Sequence, residues 1–134
     1  MSRARASCRL SGLTQPDAMA DRALAADRIV RAIRARERIA VFGDYDVDGT
    51  TSAAILGGIL EQLGAQVSVA VGNRWVGGYG LSEPALERVL EARPSLLITC
   101  DCGSSDHERI ATARQSGIDV IVVDPHLVPE EPLP

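Results

Sequence analysis

The sequence predicts an α/β protein: a three-layer α/β/α arrangement around a parallel sheet of four strands, in the order 2-1-3-4, preceded by an N-terminal helix. Three observations carry this expectation. Short apolar runs alternate with segments of helical periodicity, the pattern of β-α-β units. The runs are apolar almost throughout, as expected when helices cover both faces of a sheet. The first, third and fourth runs each end in aspartate and the second does not, so the order 2-1-3-4 makes the three acidic ends neighbours.

Taken in order, residues 1–16 read as a disordered tail ending at Gln15-Pro16. Residues 17–37 carry a helical stripe of Met19, Leu24, Ile29, Val30 and Ile33, with Asp17 placed to cap it. Arginines 28, 31, 34, 36 and 38 fill the other face; they read as a solvated helix face rather than a nucleic-acid patch. The first strand is 38–42. A helix from about Thr51 to Leu63 follows, capped by Thr50 or Thr51 and stopped by Gly64. The second strand is Gln66–Val71. The glycines of 72–80 then require a loop. Ser82 caps the next helix, which tolerates Pro84 in its first turn and runs to Ala92. The third strand, Ser95–Cys100, ends at Asp101. After Gly103-Ser104-Ser105 a helix spans about Asp106 to Gln115, closed by Gly117. The fourth strand, Ile118–Val123, ends at Asp124, and a Pro- and Glu-rich coil follows Pro125.

Composition sets bounds. At 134 residues this is one domain, and with 46% hydrophobic but only 3% aromatic residues its core must be aliphatic. The net charge is −4, yet Asp44, Asp46, Asp48, Asp101 and Asp124 alone carry −5. With cations among them the remaining surface is near neutral, so a phosphate-bearing substrate is compatible with the total. Three cysteines, Cys8, Cys100 and Cys102, fit no disulfide framework and no C-x-x-C motif; they read as buried thiols of a reducing cytoplasm. No apolar run is long enough to span a membrane, and the start lacks the core of a signal peptide.

The chemistry centres on Gly43-Asp44-Tyr45-Asp46-Val47-Asp48-Gly49-Thr50-Thr51-Ser52. Carboxylates this close repel one another and stay ionised only beside positive charge. All 14 basic residues are arginine, and none lies between Arg38 and Arg74, so a divalent metal is the expected counter-charge. Oxygen donors suit Mg²⁺ or Mn²⁺. Three readings of the loop compete. A calcium loop needs a glutamate where Ile55 stands and a preceding helix where a strand is expected. Asp46-Val47-Asp48-Gly49-Thr50 matches the motif of haloacid-dehalogenase-type phosphatases, which also use a downstream lysine that this chain lacks. The third reading, a two-metal phosphoesterase, draws on the whole chain. Strands lie about 4.8 Å apart, so the acidic ends of three neighbours share a patch roughly 10 Å wide. That suits two ions and phosphoester hydrolysis.

The glycine-rich loop brings Arg74, whose guanidinium can grip phosphate, and Trp75 and Tyr79. Tyr79 can stack on a base or pack under the loop; Trp75 is expected to pack. His107 is expected at the surface. His126, two residues after Asp124, is expected at the acidic patch as a ligand or phosphate contact.

These residues resemble the DHH phosphoesterase superfamily, and within it the RecJ-type single-strand DNA exonucleases. The resemblance covers about residues 17–134. It rests on Gly43–Ser52, on Asn73-Arg74 with Gly78-Tyr79-Gly80-Leu81-Ser82, on Ile98–Ser105 around Asp101, and on Val123-Asp124-Pro125-His126. It implies that Asp46, Asp48 and Asp101 ligate Mn²⁺ or Mg²⁺ and that Asp101 bridges two ions. Asp44 and Asp124 would orient these ligands. Arg74, Gly78, Tyr79, Gly80 and Ser104 would hold the DNA, and His126 would serve catalysis or the substrate. The implied activity is removal of nucleotides from the 5′ end of single-stranded DNA in the cytoplasm. One departure stands out: the Asp-His-His motif reads Asp124-Pro125-His126, and a proline cannot replace an imidazole ligand. The resemblance also makes 17–134 the N-terminal part of the family's domain, with a further aspartate and a second domain beyond it. A degenerate member with weak or no activity alone is therefore expected, completed by a protein partner or a C-terminal half. The alternatives are a phosphodiesterase of short oligonucleotides or cyclic dinucleotides, and a non-catalytic binding remnant.

Overall fold

The structure, a computed structural model, describes residues 14–126; the remainder of the expected tail, Cys8 and the coil after His126 lie outside them. After a 3-10 turn at Pro16–Ala18 the elements are α1 (Arg22–Arg34), β1 (Arg38–Gly43), α2 (Val47–Gln62), β2 (Gln66–Val71), α3 (Glu83–Glu91), β3 (Leu96–Cys100), α4 (His107–Gln115) and β4 (Asp119–Val123). The four strands are parallel, in the order β2-β1-β3-β4.

With that order, handedness fixes which face each helix covers. Parallel crossovers are right-handed, so a connection to one side and a connection to the other must cross on opposite faces. The step from β1 to β2 carries α2 on one face. The steps from β2 to β3 and from β3 to β4 run the other way and carry α3 and α4 on the opposite face. Two aliphatic cores result. Ile39 and Val41 of β1 and Leu96 and Ile98 of β3 meet Ala32 of α1 and Ala53 and Leu60 of α2. Ala40, Phe42 and Leu97 point the other way, to Leu86 and Val89 of α3 and Ala113 of α4. Phe42 is fully buried, and truncating such a residue costs about 3–5 kcal/mol.

Two boundaries differ from expectation. The first helix is shorter at both ends than 17–37: Asp21 and Arg36 adopt left-handed backbone (φ 53° and 55°), which a right-handed helix cannot absorb, and Asp17 lies in the preceding 3-10 turn rather than at a cap. Arg28 on that helix is no free solvated charge. It donates to Glu37 Oε2 at 2.7 Å and to Asp119 Oδ2 at 2.6 Å, tying α1 to the start of β4. The second helix begins four residues before Thr51. Asp46 is its cap, accepting from the Gly49 amide at 2.9 Å, and Thr51 lies inside the helix with its hydroxyl donating to the Val47 carbonyl. Val47, Ile55, Ile59 and Leu63 recur every four residues or multiples of four along α2 and are exposed, so this helix is apolar on its outer face as well.

Candidate metal and phosphoester site

The strand register aligns the acidic residues. Gly43 pairs with Val71 and Cys100, and Cys100 pairs with Val123. The next residue on each strand is therefore Asp44, Gly72, Asp101 or Asp124. Three backbone bonds continue the ladder one step further: Asp44 N–H donates to the Cys100 carbonyl (3.3 Å), Asp101 N–H to the Val123 carbonyl (2.8 Å) and Gly72 N–H to the Gly43 carbonyl (2.9 Å). The chain reverses its direction of travel at β1, so Asp44 and Asp101 flank the switch point where open α/β sheets bind ligands.

The Asp46–Asp48 arm reaches this patch because β1 runs almost directly into α2. Gly49 makes that junction possible. A Cβ on it would stand 2.5 Å from both the N and the O of Asp44, so only hydrogen fits between the helix start and the strand end. Asp46 and Asp48 are exposed on the first turn of α2, whose dipole favours anions.

Burial pushes the Asp101 carboxyl above its usual range. The Asp46 carboxylate raises it further, by its charge and by a hydrogen bond; His126 opposes the shift and Asp48 adds to it. Asp46, Asp48 and His126 thus all lie within electrostatic reach of Asp101. Asp101 is also held in left-handed backbone at φ 63°. Asp44 is fully buried: its Oδ1 accepts from the Gly80 amide at 3.1 Å, and its Oδ2 has no partner. Uncompensated buried carboxylate oxygen beside a carboxyl forced toward its protonated form is what an oxygen-seeking cation relieves. The donor types fit Mn²⁺ or Mg²⁺. Among the described residues no three His, Cys, Asp or Glu side chains stand close enough to form a ready-made cage.

Asp124 organises the other flank. Its Oδ2 accepts from the Ser104 amide (3.0 Å), and its Oδ1 accepts from the His126 amide (3.1 Å) and ring Nδ1 (2.7 Å). Burial opposes its charge, but these donors win and hold it below the usual carboxylate range. A carboxylate only accepts, so Nδ1 of His126 carries a proton and Nε2 is left for a ligand. The bond from Asp124 also raises the His126 pKa. Ser104 is buried, and both its amide and its side chain hydrogen-bond Asp124 and favour its charge.

Tyr79 closes the gap between the flanks. Its hydroxyl donates to the Asp101 carbonyl (3.2 Å) and lies 3.1 Å from His126 Nδ1, with the two rings edge to face. Burial and the charges of Asp124, Asp44 and Asp101 push the phenol up to about 12. Tyr79 remains half exposed, so it neither lies under the loop nor stands free. Arg74 is exposed and stacks its guanidinium 4.8 Å from the centre of the Tyr45 ring, the aromatic of the acidic loop itself. Gly78 has left-handed backbone and open space on its Cβ side. Trp75, expected to pack, is 89% exposed, because the short Asn73–Val76 turn offers nothing to pack on. His107, expected at the surface, is half buried with its Nε2 enclosed and without a partner. Cys100 and Cys102 are buried free thiols, and burial raises both.

Sequence reasoning missed Asp106. It was expected only as the start of a helix, yet its Oδ2 accepts from the Leu81 amide at 2.8 Å, across to the glycine-rich loop. Its one signal in the sequence, an aspartate just before a helix, points to capping instead.

Comparison with known proteins gives the family and the fold. A family model described as the N-terminal domain of the DHH family matches residues 38–134. Curated relatives include the single-stranded-DNA-specific exonuclease RecJ of Bacillus subtilis, 41% identical over 76% of this chain and 13% of the relative. The RecJ of Haemophilus influenzae is 38% identical over 90% of this chain and 21% of the relative. The chain thus spans about a fifth or less of the length of these relatives. Among solved structures, an exonuclease RecJ bound to manganese superposes with a TM-score of 0.76 at 39% identity, covering 83% of this chain and 29% of that one. The Thermus thermophilus RecJ in complex with Mn²⁺ gives 0.69 at 35% identity, covering 83% and 15%.

Proposed function

This chain belongs to the DHH family, with RecJ exonucleases among its relatives, and from that membership we propose that it is the N-terminal part of a RecJ-like phosphodiesterase domain that hydrolyses single-stranded DNA from the 5′ end. The observation that supports this best is that Asp46, Asp48 and His126 lie within electrostatic reach of Asp101 at the switch point of the sheet, with Asp44 and Asp124 on the neighbouring strand ends.

In this reading Asp46, Asp48 and Asp101 hold Mn²⁺ or Mg²⁺. Such an ion supplies Lewis-acid polarisation of a phosphoryl oxygen and a more acidic bound water. The chain's own residues do the rest. Asp44 and Asp124 fix the ligands around Asp101. Arg74 offers a guanidinium fork to a phosphate, and Gly78, with open space on its Cβ side, lets the DNA backbone approach the loop, while the buried Gly80 serves through its amide on Asp44. Tyr79 sets the edge of the His126 ring, and Asp124 keeps its Nδ1 proton in place, so that Nε2 faces the substrate phosphate.

Pro125 supports a second reading. A proline offers no ligand beside Asp124, so the chain binds one ion and the DNA with weak or no turnover. The test is release of nucleotides from a 5′-phosphorylated single strand in Mn²⁺, compared with dinucleotide and cyclic-dinucleotide substrates. Processive 5′ cleavage, lost in Asp48→Asn, supports the exonuclease. Preferred cleavage of dinucleotides overturns it in favour of a small-nucleotide phosphodiesterase. Binding of Mn²⁺ and DNA without cleavage supports the second reading.

A further inference from the structure

We propose that Asp106 is a positioning residue of the acidic site, acting through the glycine-rich loop. The proposal rests on the reading of the strand ends as a divalent-metal site. Asp106 occupies the cap position of α4, yet its side chain makes no cap bond there. Its carboxylate turns instead to the loop, where Oδ2 accepts the Leu81 amide at 2.8 Å. The carboxylate also fills the open flank of Gly80: a Cβ on Gly80 would lie 2.9 Å from both of its oxygens. The preceding amide, that of Gly80, donates to Asp44 Oδ1 at 3.1 Å. Two successive amides are therefore held by two carboxylates, one from the end of β1 and one from the start of α4.

The consequence reaches the site through two short paths. The Gly80 bond fixes which oxygen of Asp44 is spent, and leaves Oδ2 unpartnered. Tyr79, one residue earlier, is thereby set with its hydroxyl on the Asp101 carbonyl and His126. Asp106 is itself anchored. Its amide donates to the Gly103 carbonyl at 3.0 Å, its carbonyl accepts from Ile110 at 3.0 Å, and Ile110 is buried in α4. The loop is thus pinned to the sheet and to α4 at once. The stretch from Gly77 to Ser82 has three glycines in left-handed backbone; beside the buried Leu81 side chain and the Tyr79 hydroxyl, the carboxylates of Asp44 and Asp106 are what fix its successive amides.

The test is amide hydrogen exchange and Mn²⁺ calorimetry on the whole 134-residue chain, comparing Asp106→Ser with Asp106→Asn. Serine can cap α4 in the ordinary way but cannot reach Leu81, so the fold survives while the clamp is lost. Asparagine keeps an acceptor oxygen in place. In metal-free Asp106→Ser the Gly80 and Leu81 amides should exchange roughly tenfold faster, the factor one lost hydrogen bond is worth, with Val41 and Ile98 unchanged. Mn²⁺ affinity should fall about as much. Asp106→Asn should match the wild type in both. Equal protection of Gly80 in the serine variant overturns the clamp, and so does faster exchange spread equally to Val41 and Ile98. A loosened Gly80 with unchanged Mn²⁺ affinity overturns its role in the site. A wild-type chain that binds no Mn²⁺ overturns the metal reading, and the exchange data still judge the clamp.

Discussion

Asp46 has two tasks that one pair of substitutions separates. It caps α2 through the Gly49 amide at 2.9 Å, and it stands against Asp101 as a candidate metal ligand. Asp46→Asn keeps a cap of equal quality and removes the charge; Asp46→Ala removes both. Both variants relieve the charge repulsion with Asp101, so their difference reads the cap together with the side-chain hydrogen bond to Asp101. In EDTA at neutral pH the Asn variant should be more stable than the Ala variant by about 1 kcal/mol. For a domain of this size that is about 4 °C in Tm. Differential scanning calorimetry reads it directly. Mn²⁺ affinity should fall in both by more than roughly tenfold, since even groups that only support a ligand are worth that much. Equal stability of the two variants would refute the cap. Unchanged Mn²⁺ affinity in Asp46→Asn would refute the ligand.

Gly49→Ala should destabilise the chain by about 2–3 kcal/mol in urea denaturation, because the new methyl meets the Asp44 backbone at 2.5 Å and neither side can yield; wild-type stability would contradict the close strand–helix junction. Burial, opposed by the Leu81 amide, leaves the Asp106 carboxyl above its usual range. The folded chain then holds that proton more tightly than the unfolded one. This contribution is present below the ordinary value of about 3.9 and is lost as pH rises through the folded value. Asp106→Asn, free of metal, should therefore lose less stability than the wild type between about pH 4 and 7, as followed by Tm. The Tyr79 phenol, raised to about 12 by burial and surrounding carboxylates, should give an ultraviolet titration step that is absent from Tyr79→Phe, and Mn²⁺ should move the step down.

The sheet was legible because its cause is in the sequence. The central strands β1 and β3 are buried on both faces and read as continuous apolar runs, whereas the edge strands β2 and β4 are partly exposed, and Asp44, Asp101 and Asp124 mark where three of the four stop. The order β2-β1-β3-β4 follows once those ends are neighbours. The start of α2 was not legible, because Val47-Asp48-Gly49 has the composition of a loop. Glycine is there to let a helix touch a strand, and that contact exists only in the folded chain. Likewise the roles of Asp46 as a cap and of Asp106 as a cross-link depend on which amide each side chain meets. The left-handed turns at Asp21 and Arg36 that shorten α1 leave no sign in residue type, since neither is glycine. Tyr79 was drawn to the site by its loop, but its partners, Asp101 and His126, come from two other strand ends.

The central claim is that the acidic strand ends bind a divalent metal, and calorimetric titration of Mn²⁺ into the 134-residue chain tests it most directly, with Asp101→Asn as the control. Asparagine tolerates the left-handed backbone that residue 101 requires, so the variant changes charge and leaves the fold. Saturable Mn²⁺ binding by the wild type, lost in Asp101→Asn, is the predicted result. A folded wild-type chain that takes up no Mn²⁺, or an Asp101→Asn chain that binds it equally well, would contradict the account.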